Sequence, residues 1–307
     1  MSRLATTTSS ATVLLALGLT IGAHAQAART DSDVQRVLDR ARETYANLAV
    51  WHFEHKVVIQ ESEGAGQPTS VAEVTLVTAN RTAPGSPAGV APMSFCGDRC
   101  RLESRTGRGS VLIVRDGEAT WLYSSAGMEY MKGKTLRDVT TSVSGSMLLG
   151  LHLTPLMSLR EQELTAATML SDEAVDIGGD RRDCYVVEGN LEPSSPFSSA
   201  SAFLMLLQFQ GLTDASYQPS PAGAAPARVR LWIDKERYFV LRRSVVENAL
   251  KTPRQAAQTT GPGREVQVRL MDTFTVANVA GAVPDALFAF QPVAGAKEIP
   301  NIRVPRS

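Results

Sequence analysis

Alternation of apolar and polar side chains with a period of two constrains this chain more than any other feature. In the run from 51 to 60, Trp51, Phe53, Val57 and Ile59 all occupy odd positions, whereas most even positions are polar. Successive side chains of a β-strand point to opposite faces of the sheet, so this run predicts a strand with one buried face.

The same pattern recurs along the chain between short turn sequences. Asp-Gly at 116–117, Gly-Gly at 178–179 and Lys-Glu at 235–236 each separate two apolar runs. Glycine adopts the positive φ that tight hairpin turns require, which makes Asp-Gly a strong hairpin signal, and the flanking apolar runs predict hairpins at the other two sites as well. The chain therefore reads as a series of antiparallel strands whose common apolar face must be covered or curled upon itself.

Before the first strand, the spacing changes to that of a helix. Val34, Leu38, Ala41 and Tyr45 recur every three or four residues, after Asp31 and Ser32, which can cap a helix. Charged residues occupy the opposite side. We expect an amphipathic helix whose apolar side packs on the core.

The amino terminus has the three parts of an export signal. Arg3 is followed by an apolar run over 13–22 and by Ala23-His24-Ala25. The run is shorter than the ~20 residues that span a bilayer, which favours a cleaved signal peptide over an uncleaved anchor. We predict a signal peptide over 1–25 and a mature single domain over 26–307 in the periplasm.

Charge gives no reason to expect a nucleic-acid partner. The chain has 31 basic and 31 acidic residues, a net charge of +0 with neutral histidines. Such a balance provides no overall attraction for nucleic acid or for an anionic membrane. With 43% hydrophobic residues, the chain can form a substantial core.

Three cysteines suit an oxidising compartment. Cys96 and Cys100 are close enough to pair across a loop, and we favour that disulfide over two free thiols. Two cysteines without further ligands make a poor zinc site, which needs about four. Cys184 lies in an apolar run and is interpreted as a buried thiol.

Two segments rich in Met and Leu interrupt the series of strands, at 142–159 and 197–212. The first contains Leu148 and Leu149, and the second contains Leu204 and Leu207. Ordinary core helices are one interpretation, because apolar runs usually mean burial. A mobile lid is the other, because Met and Leu repack easily around an irregular apolar ligand.

The sequence offers no positive case for catalysis or for a metal. On a strand, His52 and His55 point to opposite faces, so one ion cannot easily use both. No Gly-x-Ser-x-Gly motif occurs, and the glycine-rich sites lack the features of a phosphate loop. We therefore expect a protein without enzymatic activity, metal or cofactor.

Aromatic and aliphatic residues on the predicted strands are better candidates for a binding site. A broad one-sided sheet with few helices to cover it can leave an apolar cavity, the kind of site that holds a lipid. The predicted lining is Trp51, Phe53, Val57, Ile59, Trp121, Tyr123, Leu148, Leu149, Leu204, Leu207, Leu231 and Phe239.

The order of these pieces resembles the LolA/LolB-like outer-membrane lipoprotein-sorting family over most of the mature chain. The signal sequence and amphipathic helix are followed by WHFEHK at 51–56 and DGEATWLY at 116–123. Then come CYVVE at 184–188, LWID at 231–234 and FAFQP at 288–292. The order and spacing of these motifs carry the resemblance.

The resemblance implies a mainly β fold, a strongly curved antiparallel half-barrel with helices covering its concave face. It also implies a monomeric periplasmic carrier that shelters the acyl chains of lipoproteins or lipids. Its partners would include an inner-membrane release complex or an outer-membrane acceptor. Shelter has a physical reason, since each exposed methylene costs about 0.8 kcal/mol in water.

Two other functions stay open at this point. A sensor module similar to the envelope-stress regulator RseB could use the same cavity to read lipoprotein signals. A hydrolase is less favoured, because its catalytic residues would have to come together from distant parts of the sequence.

Overall fold

The structure is a computed structural model. It describes residues 31–48, 50–63, 66–81, 98–107, 109–135, 138–139, 164–191, 216–219, 225–252, 263–278 and 282–300. Within these residues, helix α1 spans Asp31–Ala46. The strands are β1 Val50–Ser62, β2 Thr69–Arg81, β3 Arg99–Thr106, β4 Gly109–Arg115, β5 Thr120–Ser124, β6 Glu129–Gly133, β7 Leu164–Met169, β8 Glu173–Ile177, β9 Asp180–Leu191, β10 Ser216–Pro219, β11 Ala227–Asp234, β12 Val240–Thr252, β13 Arg264–Asn278 and β14 Lys297–Glu298.

All fourteen strands belong to one sheet. Its main order is β14-β6-β5-β4-β3-β2-β1-β13-β12-β11-β9-β7, with β10 beside β12 and β8 beside β9. Every pairing is antiparallel except the two-residue pairing of β14 with β6. The sheet is open and curved, which confirms the predicted mainly β, antiparallel fold.

Strand β1 has the predicted alternation. Trp51, Phe53, Val57 and Ile59 are buried, whereas Lys56 between them is exposed. We call the face that carries Phe53 the inner face of the sheet and the opposite side its outer face.

Helix α1 packs on the inner face through the stripe that the sequence predicts. Val34, Leu38, Ala41 and Tyr45 are buried in the same hydrophobic cluster as Phe53. The Tyr45 hydroxyl also accepts a hydrogen bond from the backbone N–H of Val240, over 3.0 Å. A helix therefore covers part of the inner face, as expected.

The predicted Asp-Gly turn joins β4 to β5. One oxygen of Asp116 accepts hydrogen bonds from the backbone N–H groups of Glu118 and Ala119, both at 2.8 Å. Gly117 has φ +107°, which disfavours any residue with a Cβ. This turn fixes the register of β4 and β5, and hence which side chains reach the inner face.

The carboxyl-terminal part, residues 282–300, lies on the outer face of β1–β6. Phe288 is buried beside Ala79, and Asp285 forms salt bridges with Arg81 and Arg99 over 2.5 and 3.0 Å. Phe290 stacks on Trp121 with ring centroids 5.1 Å apart. The outer face of this half is thus covered by the chain itself.

The two described cysteines are in different states. Cys100 is disulfide-bonded, and Cys184 is a free, buried thiol. Cys96 lies outside the described residues, so its pairing with Cys100 stays a prediction. Burial raises the pKa of the Cys184 thiol to about 12.

Candidate functional site

A row of side chains crosses the inner face from β1 to β6. Directly opposed residues of antiparallel strands point to the same face, and the register joins Phe53, Thr78, Leu102, Ile113, Leu122 and Met131 in this way. Each of the six is at most 4% exposed. We call the four apolar residues on β3–β6, namely Leu102, Ile113, Leu122 and Met131, the inner row.

The inner row is separate from the core beneath α1. The hydrophobic cluster beneath α1 contains buried residues of β1, β2 and β8–β13. Among the described residues, it contains none of β3–β6. The inner face therefore has two parts. One part is packed under α1, and the other carries the inner row.

Two buried hydroxyl groups on the part that carries the inner row have no hydrogen-bond partner. Ser104 pairs with Leu76 and Thr120 with Arg115, in registers that place both hydroxyls on the inner face. Both residues are 0% exposed, and neither hydroxyl oxygen has a partner. An unpaired buried hydroxyl is costly, so this surface offers polar groups to a ligand or to water.

A polar cluster lies on the part of the inner face near α1. His55 Nδ1 is 2.7 Å from Asp272 Oδ1, and the other Asp272 oxygen is 3.9 Å from Arg243 Nη2. All three residues are 1% exposed. Burial lowers the pKa of the Arg243 guanidinium, and the charge of Asp272 opposes that shift.

The His55–Asp272 pair supplies two members of a hydrolytic triad but not the third. Among the described residues, His55 forms its hydrogen bond with Asp272. No hydroxyl or thiol of a described residue bonds to the other ring nitrogen of His55. The imidazole instead stacks on Phe274, with centroids 4.9 Å apart and planes 9° apart. Nucleophilic catalysis needs a hydroxyl or thiol within hydrogen-bond reach of the base.

A second charged cluster lies farther along β1, where Glu61 also faces inward. Its carboxylate accepts hydrogen bonds from the Tyr217 hydroxyl over 2.7 Å and from Lys251 Nζ over 2.6 Å. Burial would raise the pKa of Glu61, but these hydrogen bonds outweigh it and the pKa is lowered. The apolar part of β1 is thus bounded by charged groups.

A separate cavity of about 330 Å³ lies where the β8–β9 and β11–β12 turns approach the end of β13. Apolar side chains such as Phe239 and Leu241 line it, together with Arg182. Arg182 is already paired with Asp180 over 2.8 Å and with Glu236 over 3.3 Å. None of the residues that line this cavity belongs to the inner row.

Six of the predicted lining residues lie in the core that includes α1. They are Trp51, Phe53, Val57, Ile59, Leu231 and Phe239. Phe53, for example, contacts Phe239 and Phe274, with centroids 6.2 and 5.2 Å apart. Leu148, Leu149, Leu204 and Leu207 lie outside the described residues.

Trp121 and Tyr123 require a correction. Both flank Leu122 on β5, and the register places Leu122 on the inner face, so Trp121 and Tyr123 point outward. They pack against Phe290 instead, with centroids 5.1 and 6.4 Å apart. A ligand on the inner face would not contact them, and we remove both from the candidate site.

Sequence reasoning missed the inner row itself. Ile113 and Leu122 lie within the apolar runs that flank the Asp-Gly turn, and neither run alternates with polar residues. The turn supplies the register once its length is known: the loop spans the four residues 116–119, so counting outward from Arg115 and Thr120 pairs Ile113 with Leu122. No group of three or more His, Cys, Asp or Glu side chains in the described ranges could hold a metal ion. Within the same ranges, no helix is long and apolar enough to cross a bilayer.

The fold and the site define a class of protein: an open, curved antiparallel sheet with an apolar inner face that a helix covers in part. No family model matches the sequence, and no curated protein matches it significantly. Among solved structures, the chain is similar to a DUF1329 family protein from Desulfovibrio piger, at 12% identity and a TM-score of 0.30. That match covers 83% of this chain and 97% of the other.

Two further solved structures cover similar shares. LprF from Mycobacterium bovis is 11% identical with a TM-score of 0.38, and the match covers 84% of this chain and 98% of the other. A LolA superfamily protein from Nitrosomonas europaea is 12% identical with a TM-score of 0.22, covering 84% and 97%. One of the similar structures is thus a LolA superfamily protein. At these TM-scores the matches carry no argument about function.

Proposed function

We propose that this protein is a periplasmic carrier that shelters an acyl chain of a lipoprotein or a lipid against the inner row. In this proposal, Leu102, Ile113, Leu122 and Met131 contact the hydrocarbon chain. The protein acts by binding rather than by catalysis, and it takes part in the sorting of lipoproteins to the outer membrane.

The observation that carries the proposal is a continuous apolar row that does not belong to the core beneath α1. Each methylene transferred from water to such a surface gains about 0.8 kcal/mol. The unpaired hydroxyls of Ser104 and Thr120 lie on the same part of the face and can bond to the ester or amide groups of an acylated molecule. An acyl chain with a polar linkage matches both features.

We also propose that the mature protein begins at Gln26 and acts in the periplasm. Cleavage after Ala25 would leave a single domain that starts at Gln26. Export would place it where acylated proteins need shelter between two membranes, and an oxidising compartment agrees with the disulfide-bonded Cys100.

A sensor of the RseB type is the alternative within the same fold, since it would bind the same acyl chains and report them to a partner. The two functions differ in what stays bound to the protein. A carrier is recovered with a range of acylated passengers, whereas a sensor is recovered with a partner protein at fixed stoichiometry.

Native mass spectrometry of the protein purified from the periplasm, with sequencing of its amino terminus, tests the proposal. We expect bound lipid or acylated peptide and a first residue of Gln26. Ile113→Asn should lower the retained ligand by about tenfold or more, because an amide facing hydrocarbon without a partner costs about 1–3 kcal/mol. The gentler Ile113→Thr should lower it less.

Leu112 provides the matched control. It is the neighbour of Ile113 on β4 and points to the outer face, beside Tyr123. Leu112→Asn and Leu112→Thr should keep the ligand, provided that circular dichroism shows folded protein in all four variants. Wild-type protein that never carries an acylated molecule would contradict the proposal. Equal loss of ligand in the Ile113 and Leu112 variants would contradict the assigned face.

A further inference from the structure

The strands at the far end of the inner row are short, so each places few side chains on the inner face. Strands β5 and β6 have 5 residues each, and alternation gives each of them three inner positions. In chain order, these positions are Thr120, Leu122, Ser124, Glu129, Met131 and Gly133. Only the middle residue of each strand has a large apolar side chain. On these two strands the inner row is therefore one residue wide.

Two rows of side chains flank the inner row across all four strands. We call the row on one side, formed by Cys100, Arg115, Thr120 and Gly133, the first border. We call the row on the other side, formed by Ser104, Val111, Ser124 and Glu129, the second border. Each border lies two residues along the strands from the inner row, a distance of about 6.7 Å. Val111 is the one aliphatic side chain of the two borders, so the apolar stripe is narrow.

Each border contains a buried hydroxyl next to the inner row. Thr120 of the first border and Ser104 of the second are 0% exposed, and neither hydroxyl oxygen has a hydrogen-bond partner. Hydrocarbon lying over such a hydroxyl would keep it from any partner, which is unfavourable. The ester or amide group of an acylated molecule could instead accept a hydrogen bond from it.

The space above the first border is already filled at β6. A Cβ atom at Gly133 would lie 2.7 Å from Cβ of Asp138 and 3.0 Å from a methyl carbon of Val139. Val139 is 0% exposed. These two residues occupy the place that a second hydrocarbon chain would need on that side of Met131.

The width of the stripe limits how many hydrocarbon chains it can hold. Apolar groups that lie side by side are in contact at about 4–4.5 Å. A second chain beside one on the inner row would therefore lie nearer to a border than to the inner row. It would cover a buried hydroxyl or approach the charge of Arg115 or Glu129, so both borders oppose a second chain.

We propose that the inner row binds one acyl chain and selects molecules that carry a single chain, such as a lysophospholipid or a singly acylated peptide. The chain crosses the strands from Leu102 to Met131, and its polar linkage lies within reach of a border hydroxyl. This inference rests on the proposed carrier function, because it concerns the same row. A molecule with two chains would leave one of them in water, and each unsheltered methylene lowers its affinity by about fourfold relative to a membrane.

Uptake from mixed vesicles by the full mature chain tests this inference. The vesicles contain dilauroyl phosphatidylcholine and a small share of lauroyl lysophosphatidylcholine, which have the same head group and the same acyl chain. Native mass spectrometry of protein separated from the vesicles should show one lysolipid per protein. The lysolipid should be enriched over the two-chain lipid by about tenfold or more relative to the vesicles. For protein from the periplasm, the mass of the ligand should correspond to one chain and distinguish a lysophospholipid from an acylated peptide.

Widening the stripe should weaken the selection. Ser104→Ala with Ser124→Val leaves only Glu129 as a polar residue of the second border and creates a second apolar row on β3–β5. Uptake of the two-chain lipid should then rise by about tenfold or more. Ser124→Val alone, at a half-buried position, should give a smaller rise in the same direction if the double variant does not fold.

The matched control removes hydroxyls from the opposite face. Thr75 and Ser110 both pair with Arg105 and point to the outer face. Thr75→Val with Ser110→Ala should leave the selection unchanged, provided that circular dichroism shows folded protein.

The outcomes separate this inference from the carrier proposal. Equal uptake of both lipids by the wild-type protein, or two lysolipids bound at once, would overturn the single-chain inference and leave the carrier function intact. An unchanged selection in folded Ser104→Ala with Ser124→Val would also overturn it. Uptake of neither lipid would contradict both proposals.

Discussion

Neutralising the buried carboxylate of Asp272 should cost several kcal/mol of stability. Asp272→Asn keeps the shape of the side chain and allows a hydrogen bond to His55, but it removes the negative charge near Arg243. That guanidinium is 2% exposed and lies 3.9 Å from the carboxylate. Breaking a buried ion pair by neutralising one partner typically costs about 3–5 kcal/mol. We expect a loss of that size in the free energy of unfolding.

Asp285→Asn is the matched control, since Asp285 also pairs with arginines. Its side chain is 73% exposed while it bridges Arg81 and Arg99. Water already solvates these charges, so we expect a loss of only about 0–1 kcal/mol. Burial, rather than the number of ion pairs, should decide the difference between the two variants.

Urea unfolding followed by circular dichroism at neutral pH measures both changes, as a shift in midpoint at constant slope. Asp272→Asn combined with Arg243→Met should recover part of the loss, because it removes the buried cation together with the buried anion. If Asp272→Asn costs no more than Asp285→Asn, the buried charge does not stabilise the fold and the reasoning is refuted.

Two further predictions concern thiols and acid. Cys184 should resist alkylation in the native protein, because burial raises its pKa to about 12. Mass spectrometry after unfolding should find this thiol modified, and Cys96 and Cys100 modified only after reduction. Burial would raise the pKa of Glu103, but ion pairs with two arginines lower it below 4.5. The stability it provides is present above pH 4.5 and is lost as the pH falls through the lower, folded-state pKa. The fall in unfolding free energy between about pH 5 and about pH 3 should be shallower in Glu103→Gln than in a variant of exposed Glu73, Glu73→Gln.

Local patterns predicted the elements of the fold well. The alternation in β1, the helical spacing of α1 and the Asp-Gly turn each depend on residues close together in the sequence. Such signals are local because strand and helix periodicities are properties of a short segment. From the sequence, only the strands joined by a hairpin could be predicted as neighbours, and the full order of strands in the sheet could not.

The face of β5 could not be predicted from its own residues. Trp121, Leu122 and Tyr123 are all apolar or aromatic, so the segment lacks the contrast that separates a buried face from an exposed one. Its orientation follows from the register passed through β2, β3 and β4 to Phe53. The prediction chose the aromatic residues of β5 as lining, and these residues point to the outer face.

The polar cluster near α1 was invisible for a different reason. His55 and Asp272 are separated by 217 positions, and Arg243 follows another arginine, so nothing local tells which of the two turns inward. Only the pairing of β12 with β13 sets Arg243 opposite Asp272.

The positions of the cluster and the inner row suggest why the inner face is divided. Ionic groups that are buried and paired favour one arrangement of β1, β12 and β13 over its alternatives. The inner face of β3–β6 carries instead the buried apolar inner row and the unpaired hydroxyls of Ser104 and Thr120.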